Sequence, residues 1–491
     1  MKQSYYSRSV VPRMSIVMVL LLGLSGCADF AGIHTRAHMI QSKSLAGMGL
    51  NHSSPGVFPQ QHWWTAFGEA QLDGLITQAI AANPSLKVAQ SRVTEARASA
   101  AAIDSTRYPQ LNGDAKITRE RLSENSIYPP PLGGSTVTMN SANLSGQCQL
   151  DLFCKNRAAL VAAIGQSRAA EADAQAARVL LAANVAQSYF NLARLQAQQD
   201  LERDLLRQRK QIQELVSQRV AAGLDATLTQ RQAQAEVPQI RRDLAALDEQ
   251  IALARHGMAA LIGAGPDATD RLVAHFPELA LPQIPNQIPA QLLGHRADVV
   301  AARWRVESEL QGIREARAAF YPNINLSAFI GFESIGLSKW LSAGSRTFGA
   351  GPALSLPIFD AGHLRAQLRG RTARADAAIE SYNTTVLNAL RDVADQLSSW
   401  HAMQTQLQEQ MAARKAVDSA YDMALARYQE GLTNYLDVLT AQNAVLQQRN
   451  KLIDLQARVY DLDVGLMRAL GGGYLAPLKA VQLSKGKEVS E

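Results

Sequence analysis

The 491-residue sequence predicts a mixed α and β fold written twice along the chain. Three observations predict it. Four stretches of about ten residues alternate apolar and polar side chains with the period of a strand. Long proline-free segments rich in alanine lie between them, as helices require. The whole pattern then recurs at a nearly constant offset, and a repeat of this kind takes precedence over any local reading.

The offset is explicit. Tyr108-Pro109-Gln110-Leu111-Asn112 lies on Tyr321-Pro322-Asn323-Ile324-Asn325, and the same step pairs Ala89, Arg92 and Val93 with Ala302, Arg305 and Val306. Further on, Arg219, Gly223, Leu224, Leu228, Gln234 and Val237 fall without a gap on Arg427, Gly431, Leu432, Leu436, Gln442 and Val445. Length alone suggests about three domains. The repeat overrules that reading in favour of two interlocked halves, 69–265 and 290–473.

Residues 1–26 have a basic start, an apolar run from Ile16 to Leu24 and a small-residue end, which is the plan of a secretory signal peptide. Cys27 follows directly, and the junction Leu24-Ser25-Gly26-Cys27 resembles a bacterial lipoprotein signal, in which Cys27 becomes the acylated first residue. The resemblance extends to sorting. Ala28, and not an aspartate, follows the cysteine, so the outer membrane is the expected address. Without Lys2, Arg8 and Arg13 the formal charge of +6 falls to +3, and no basic stripe with interleaved aromatics remains to suggest nucleic acid.

Residues 27–68 read as lipid anchor and linker, with Trp63, Trp64 and Phe67 beginning the ordered region as packing aromatics. A helix is expected from Glu69 to Thr106, broken at Asn83-Pro84 because proline disfavours helix in the residue before it. Strands follow at Gln110 to Arg119 and from Asn143 onward, separated by a loop at Leu122 to Asn140 that carries Pro129-Pro130-Pro131. Cys148 and Cys154 stand about 20 Å apart along an extended chain. That is too far for a disulfide, so both are expected as buried small side chains.

From Asn156 to Ala221 a helix of roughly 100 Å is expected, which only a bundle or coiled coil can bury. Gly223 turns it, and a return helix runs to Leu261 with a kink or joint at Pro238. The proline-rich segment 266–289 joins the halves. The second half repeats the plan: a helix from Ala290 to Phe320, strands at Asn323 to Phe332 and Gly349 to Ile358, a long helix from Gly362 to Gln429, a turn at Gly431 and a return helix to Leu470. Gly471-Gly472-Gly473 reads as helix termination, and 474–491 as a tail. Beyond the signal no apolar run is long enough for a spanning helix. A membrane crossing by this chain is therefore a barrel.

Nine scattered histidines lack the spacing of a zinc helix, and no nucleophile elbow or phosphate loop occurs. No catalytic residue, cofactor or metal is expected, and the chain does not read as an enzyme.

The sequence resembles the TolC-type outer-membrane efflux channels, particularly the acylated ones of multidrug efflux. The carriers are Leu150-Asp151-Leu152-Phe153, Arg296-Ala297-Asp298-Val299, Ala316 to Pro322, Leu356-Pro357-Ile358-Phe359-Asp360-Ala361-Gly362 and Tyr428 to Leu439. Two departures are Cys154, where the family usually has glycine, and Ala297, where proline is common.

The resemblance implies a homotrimer in which each chain gives four strands to one transmembrane β-barrel and its helices to a long α-helical barrel, the periplasmic tunnel. It also implies a passive exit duct for drugs or other small toxic compounds, working with a periplasmic adaptor and an inner-membrane pump. Closure by three copies agrees with the strand count, since an open edge in lipid leaves backbone groups unpaired. By the same resemblance, Gly223 and Gly431 are the helix-tip turns at the periplasmic entrance. Tyr428 belongs to the network that holds the gate shut, and Asp437 to a ring at the constriction. Thr440 replaces a second family aspartate, and Asp437 also reads simply as a solvated carboxylate at a helix N-terminus. Other readings of the chain are a periplasmic coiled-coil adaptor or structural lipoprotein, and a TolC-like duct for protein secretion.

Overall fold

The computed structural model describes residues 30–40, 50–51, 59–277, 288–289 and 292–475. The expected signal peptide, Cys27, part of each linker and most of the tail lie outside the described residues. The main helices are α1 (Ala70–Ala82), α2 (Pro84–Ser105), α3 (Lys155–Ala221), α4 (Thr227–Leu261), α5 (Ala297–Ala318), α6 (His363–Gln429) and α7 (Tyr435–Ala469); the helix expected from Ala290 to Phe320 is interrupted at Arg296, with only a short turn at Leu292–His295 before α5. The main strands are β1 (Gln110–Arg121), β2 (Thr136–Leu150), β3 (Asn323–Ile335) and β4 (Arg346–Ser355). The duplication is metric as well as sequential. Helices α3 and α6 both have 67 residues, and α4 and α7 both have 35. Among the described residues no helix is long and apolar enough to cross a membrane.

The chain divides into two compact units. One comprises Met1–Met39, Val93–Ala169 and Ala302–Tyr382; the other comprises Ile40–Arg92, Ala170–Ala301 and Asn383–Glu491.

The first unit holds one antiparallel sheet in the order β1-β2-β3-β4. Its register pairs Gly113 with Leu144, Leu144 with Ile330 and Ile330 with Phe348. Residues directly opposite one another share a face, so the four alternating apolar sets of the sequence form one continuous apolar face. The other face carries Asp114, Asn143 and Thr347 in line, with Phe329 its aromatic exception. Both outer strands keep a free edge within the chain, and Pro352 lies on one of them, where a missing ladder donor is tolerated.

The strand ends differ from those the alternation suggested. Strand β2 begins at Thr136 and not at Asn143, because Thr136, Val137 and Thr138 continue the ladder against Arg121, Glu120 and Arg119. Strand β4 ends at Ser355 and not at Ile358, and Pro357 lies just beyond it. Part of the expected linker is also held. Asp376 on α6 accepts backbone N–H bonds from Arg36 and Ala37, Phe30 meets Phe320 edge-on, and Ile33 is buried with Ile313, Ala316, Leu368 and Ala375.

Cys154 is exposed, not buried, and adopts φ +59° immediately before α3. Gly362 occupies the corresponding place before α6 with φ +86°. That left-handed conformation favours glycine, which explains the family's choice at position 154.

The second unit has its core where α1, the middle of α3, the end of α4 and α7 meet. Leu72, Ile76, Tyr189, Phe190, Met258 and Val464 are buried there, and Tyr460 stacks on Phe190 with centroids 4.6 Å apart. Trp63–Phe67 forms a short 3₁₀ turn in this core, as packing aromatics. Asn83 breaks the first helix as expected. Its side chain caps α2 through the N–H groups of Ser85 and Leu86 and donates to the Leu261 carbonyl at 2.8 Å.

Helix α4 is continuous through Pro238, with no joint there. Ala233, Val237 and Ile240 are buried along one face, and this packing offsets the missing hydrogen bond. The triplet Gly471-Gly472-Gly473 does more than stop α7. All three have positive φ, and a Cβ at Gly471 would meet the His295 carbonyl at 1.9 Å.

Candidate functional site

The two tip turns are built alike. At Gly223 (φ +71°) and Gly431 (φ +72°) the chain enters the left-handed region that closes a helix. Leu224 then donates to the Arg219 carbonyl and Leu432 to the Arg427 carbonyl, both at 2.8 Å. These are the 6→1 bonds that satisfy carbonyls left free at a helix end.

What differs between the turns makes the site. The Tyr428 hydroxyl donates to Asp225 Oδ2 at 2.8 Å, and Arg219 Nε donates to the same oxygen at 2.8 Å. The Arg219 guanidinium carbon also lies 4.8 Å from the centre of the Tyr428 ring, within cation–π range. Tyr428 is fully buried in a cluster with Ile212, Val216, Ala233, Tyr435 and Val438. Burial first, and then the bond to Asp225, pushes its phenol well above the usual range, so it stays a neutral donor. Asp225 raises Arg219 in turn. The second turn is thereby tied to the first by a carboxylate bonded to two donors, one of them cationic, a stronger class of bond than one between neutral groups.

A second polar tie lies about three turns of helix away. Arg209 on α3, only 2% exposed, donates to Asn443 Oδ1 on α7 at 2.8 Å and lies 3.7 Å from Glu236 on α4. Beside it Gln442 donates to Gln208 at 3.0 Å.

Asp437 and Thr440 are not part of the Tyr428 network. Asp437 is exposed in the first turn of α7; its N–H donates to the capping side chain of Asn434 at 3.1 Å, and its carboxylate accepts from the Thr433 hydroxyl. The Thr440 hydroxyl donates back to the Leu436 carbonyl at 2.8 Å. Both are exposed on this chain.

Sequence reasoning missed Asp225 and gave Arg219 no role beyond the repeat. A signal was present. At the offset that pairs Gly223 with Gly431, Asp225 falls on Thr433 and Val220 on Tyr428, so the two ends of the latch bond stand at positions where the otherwise matching repeats differ.

Residues 75–264 and 288–472 match the family model described as outer membrane efflux protein. The chain belongs to this family. Its members are the TolC-type channels, homotrimers of the outer membrane with a periplasmic helical tunnel, which act with an adaptor and an inner-membrane pump. The chain is 34% identical to the multidrug resistance outer membrane protein MdtP of Escherichia coli over 92% of its length and 94% of the relative's. It is 36% identical to the fusaric acid resistance protein FusA of Burkholderia cepacia, over 73% of this chain and 68% of that one. The crystal structure of the outer membrane protein VceC from Vibrio cholerae superposes with a TM-score of 0.80 at 36% identity, covering 85% of this chain and all of the other. These relatives are efflux and channel proteins, and the fold of this efflux-family chain is theirs: paired repeats, strands for a membrane barrel and long helices for a tunnel.

Proposed function

We propose that three copies of this chain form a passive outer-membrane exit duct for small toxic organic compounds, closed at the periplasmic end by the Tyr428–Asp225–Arg219 latch. The observation that carries the reading is the bond between the two tip turns, which joins one repeat to the other through Tyr428 and Asp225. The duct performs no reaction of its own. The pump supplies the energy, and contact with the adaptor at the tips draws the turns apart. Asp437 forms the constriction ring across the three copies, and Thr440 in place of a second acid leaves that ring one carboxylate deep. Cys27 carries the acyl anchor, and the repeats span 69–265 and 290–473.

A cargo of drugs or other small toxic compounds is supported by the names of MdtP and FusA, a multidrug and a fusaric acid resistance protein. The test is deletion of the gene and its restoration, followed by susceptibility to a broad panel of small antimicrobial compounds. Restored resistance to several of them is expected. Unchanged susceptibility across the panel, with the trimer present in the outer membrane, overturns the cargo assignment.

A further inference from the structure

The strand-to-helix junction of the first unit holds a cavity of about 400 Å³, lined by Lys155 at the start of α3, by Glu315, Ala316 and Ala319 at the end of α5, and by Gln367, Gly370, Arg371 and Arg374 on α6. Three cations therefore face one carboxylate. Arg371 is offset by Glu315, with Nη2 and Oε2 3.4 Å apart. Among the described residues neither Lys155 nor Arg374 has an acidic partner. The cavity is thus short of about two negative charges, in a place where two long side chains already converge.

Its level in the molecule is set by what surrounds it. Lys155 lies five residues past the end of β2, and Ala319 four residues before the start of β3. Just on the strand side stand exposed apolar side chains, Leu152, Phe153, Ile358 and Phe359, with Phe153 stacked on Tyr321 at 4.9 Å. Such a band marks the boundary of a hydrocarbon layer around a membrane barrel. A second marker agrees: Phe30, three residues after Cys27, packs on Phe320 in the same turn that lines the cavity. This marker rests on the acylation of Cys27 proposed above; the apolar band does not.

We propose that this cavity is a binding site for the phosphate headgroup of an anionic phospholipid from the periplasmic leaflet of the outer membrane. Basic pockets at a membrane boundary hold such headgroups by charge and hydrogen bonding, and a phosphate accepts both the forked donors of an arginine and the point charge of a lysine. Its acyl chains would then run along the apolar band while the headgroup joins α3 to α6. The lipid acts as a fitted wedge where the barrel strands hand over to the helices.

The test uses the full-length trimer, washed in zwitterionic detergent and titrated separately with dioleoylphosphatidylglycerol, dioleoylphosphatidylcholine and inorganic phosphate, with retained ligand read by native mass spectrometry. The double variant Lys155→Gln/Arg374→Gln is compared with Arg369→Gln, an exposed arginine on the same helix that does not line the cavity. The expected result is preferential retention of the anionic lipid by the wild type and by Arg369→Gln, reduced on the order of tenfold in the double variant. Equal retention in the double variant overturns the site. Absence of retained lipid in the wild-type trimer, as when a neighbouring copy covers the cavity, overturns it also. Displacement of the lipid by millimolar phosphate overturns the lipid assignment in favour of a soluble anion. Retention is read without any flux, so failure here leaves the exit-duct reading standing, and failure of the duct leaves this site standing.

Discussion

Tyr428 and Asp225 lie 203 residues apart and meet at 2.8 Å, the hydroxyl of one repeat on the carboxylate of the other. Because Arg219 holds the same oxygen, loss of the phenol alone leaves the carboxylate partly satisfied, whereas loss of the carboxylate strands two donors. An unsatisfied buried donor costs about 1 to 3 kcal/mol. Asp225→Ala is therefore expected to loosen the tips more than Tyr428→Phe. Leak of a bulky antibiotic that the outer membrane normally excludes should follow that order, and the reverse order contradicts the shared-acceptor account.

Arg296 ties three segments of the second unit together. It donates to Asp298 Oδ2 at 2.7 Å, to Asp392 on α6 at 3.4 Å and to the Ala469 carbonyl at the end of α7 at 3.2 Å. Charge-assisted bonds of a buried donor contribute about 1.5 to 3 kcal/mol each, less where the carboxylate is partly exposed, as Asp298 and Asp392 are. Arg296→Ala should lower the thermal unfolding midpoint sharply and cut the yield of folded trimer, while Ala297→Pro, the residue common in the family at that place, should do neither.

Much of this was legible because it is periodic. Strand alternation, alanine-rich helices and a constant offset are local signals repeated many times, and the two 67-residue helices were expected almost to the residue. The Thr136–Asn140 stretch of β2 was not, because the neighbouring proline and glycine runs mark a loop and only pairing with Arg121 to Ile117 shows the ladder continuing. The latch was half legible. Tyr428 carries a family resemblance, but its partner Asp225 belongs to a contact between distant segments that no spacing along the chain encodes. The basic cavity was invisible for the same reason, since Lys155 and Arg374 are neighbours only after folding.

Cys154 stores backbone strain. A non-glycine residue in the left-handed region gives up about 1 kcal/mol relative to glycine. Cys154→Gly should raise stability by that order despite the greater freedom of the unfolded chain, and Cys154→Val should lower it, as read by thermal unfolding of the detergent-solubilised trimer.

Asp463 supplies a pH test. Burial raises its carboxyl from 3.8 to about 6, and its Oδ1 has no hydrogen-bond partner among the described residues. The folded state then binds a proton more readily than the unfolded one, so its contribution is most favourable below about pH 4 and declines as pH rises towards 6. Above pH 6 the buried charge costs on the order of 2 to 3 kcal/mol. Asp463→Asn should stabilise the protein at pH 7.5 and flatten the dependence between pH 4 and 6; equal effects at pH 4 and 7.5 contradict the assignment.

The most direct test of the closed tip is single-channel conductance in a planar lipid bilayer, wild type against the pair Tyr428→Phe and Asp225→Ala. A small wild-type conductance that rises several-fold when the bond between the two turns is removed is the predicted result. A conductance that is the same with and without that bond places the closure elsewhere and contradicts the account.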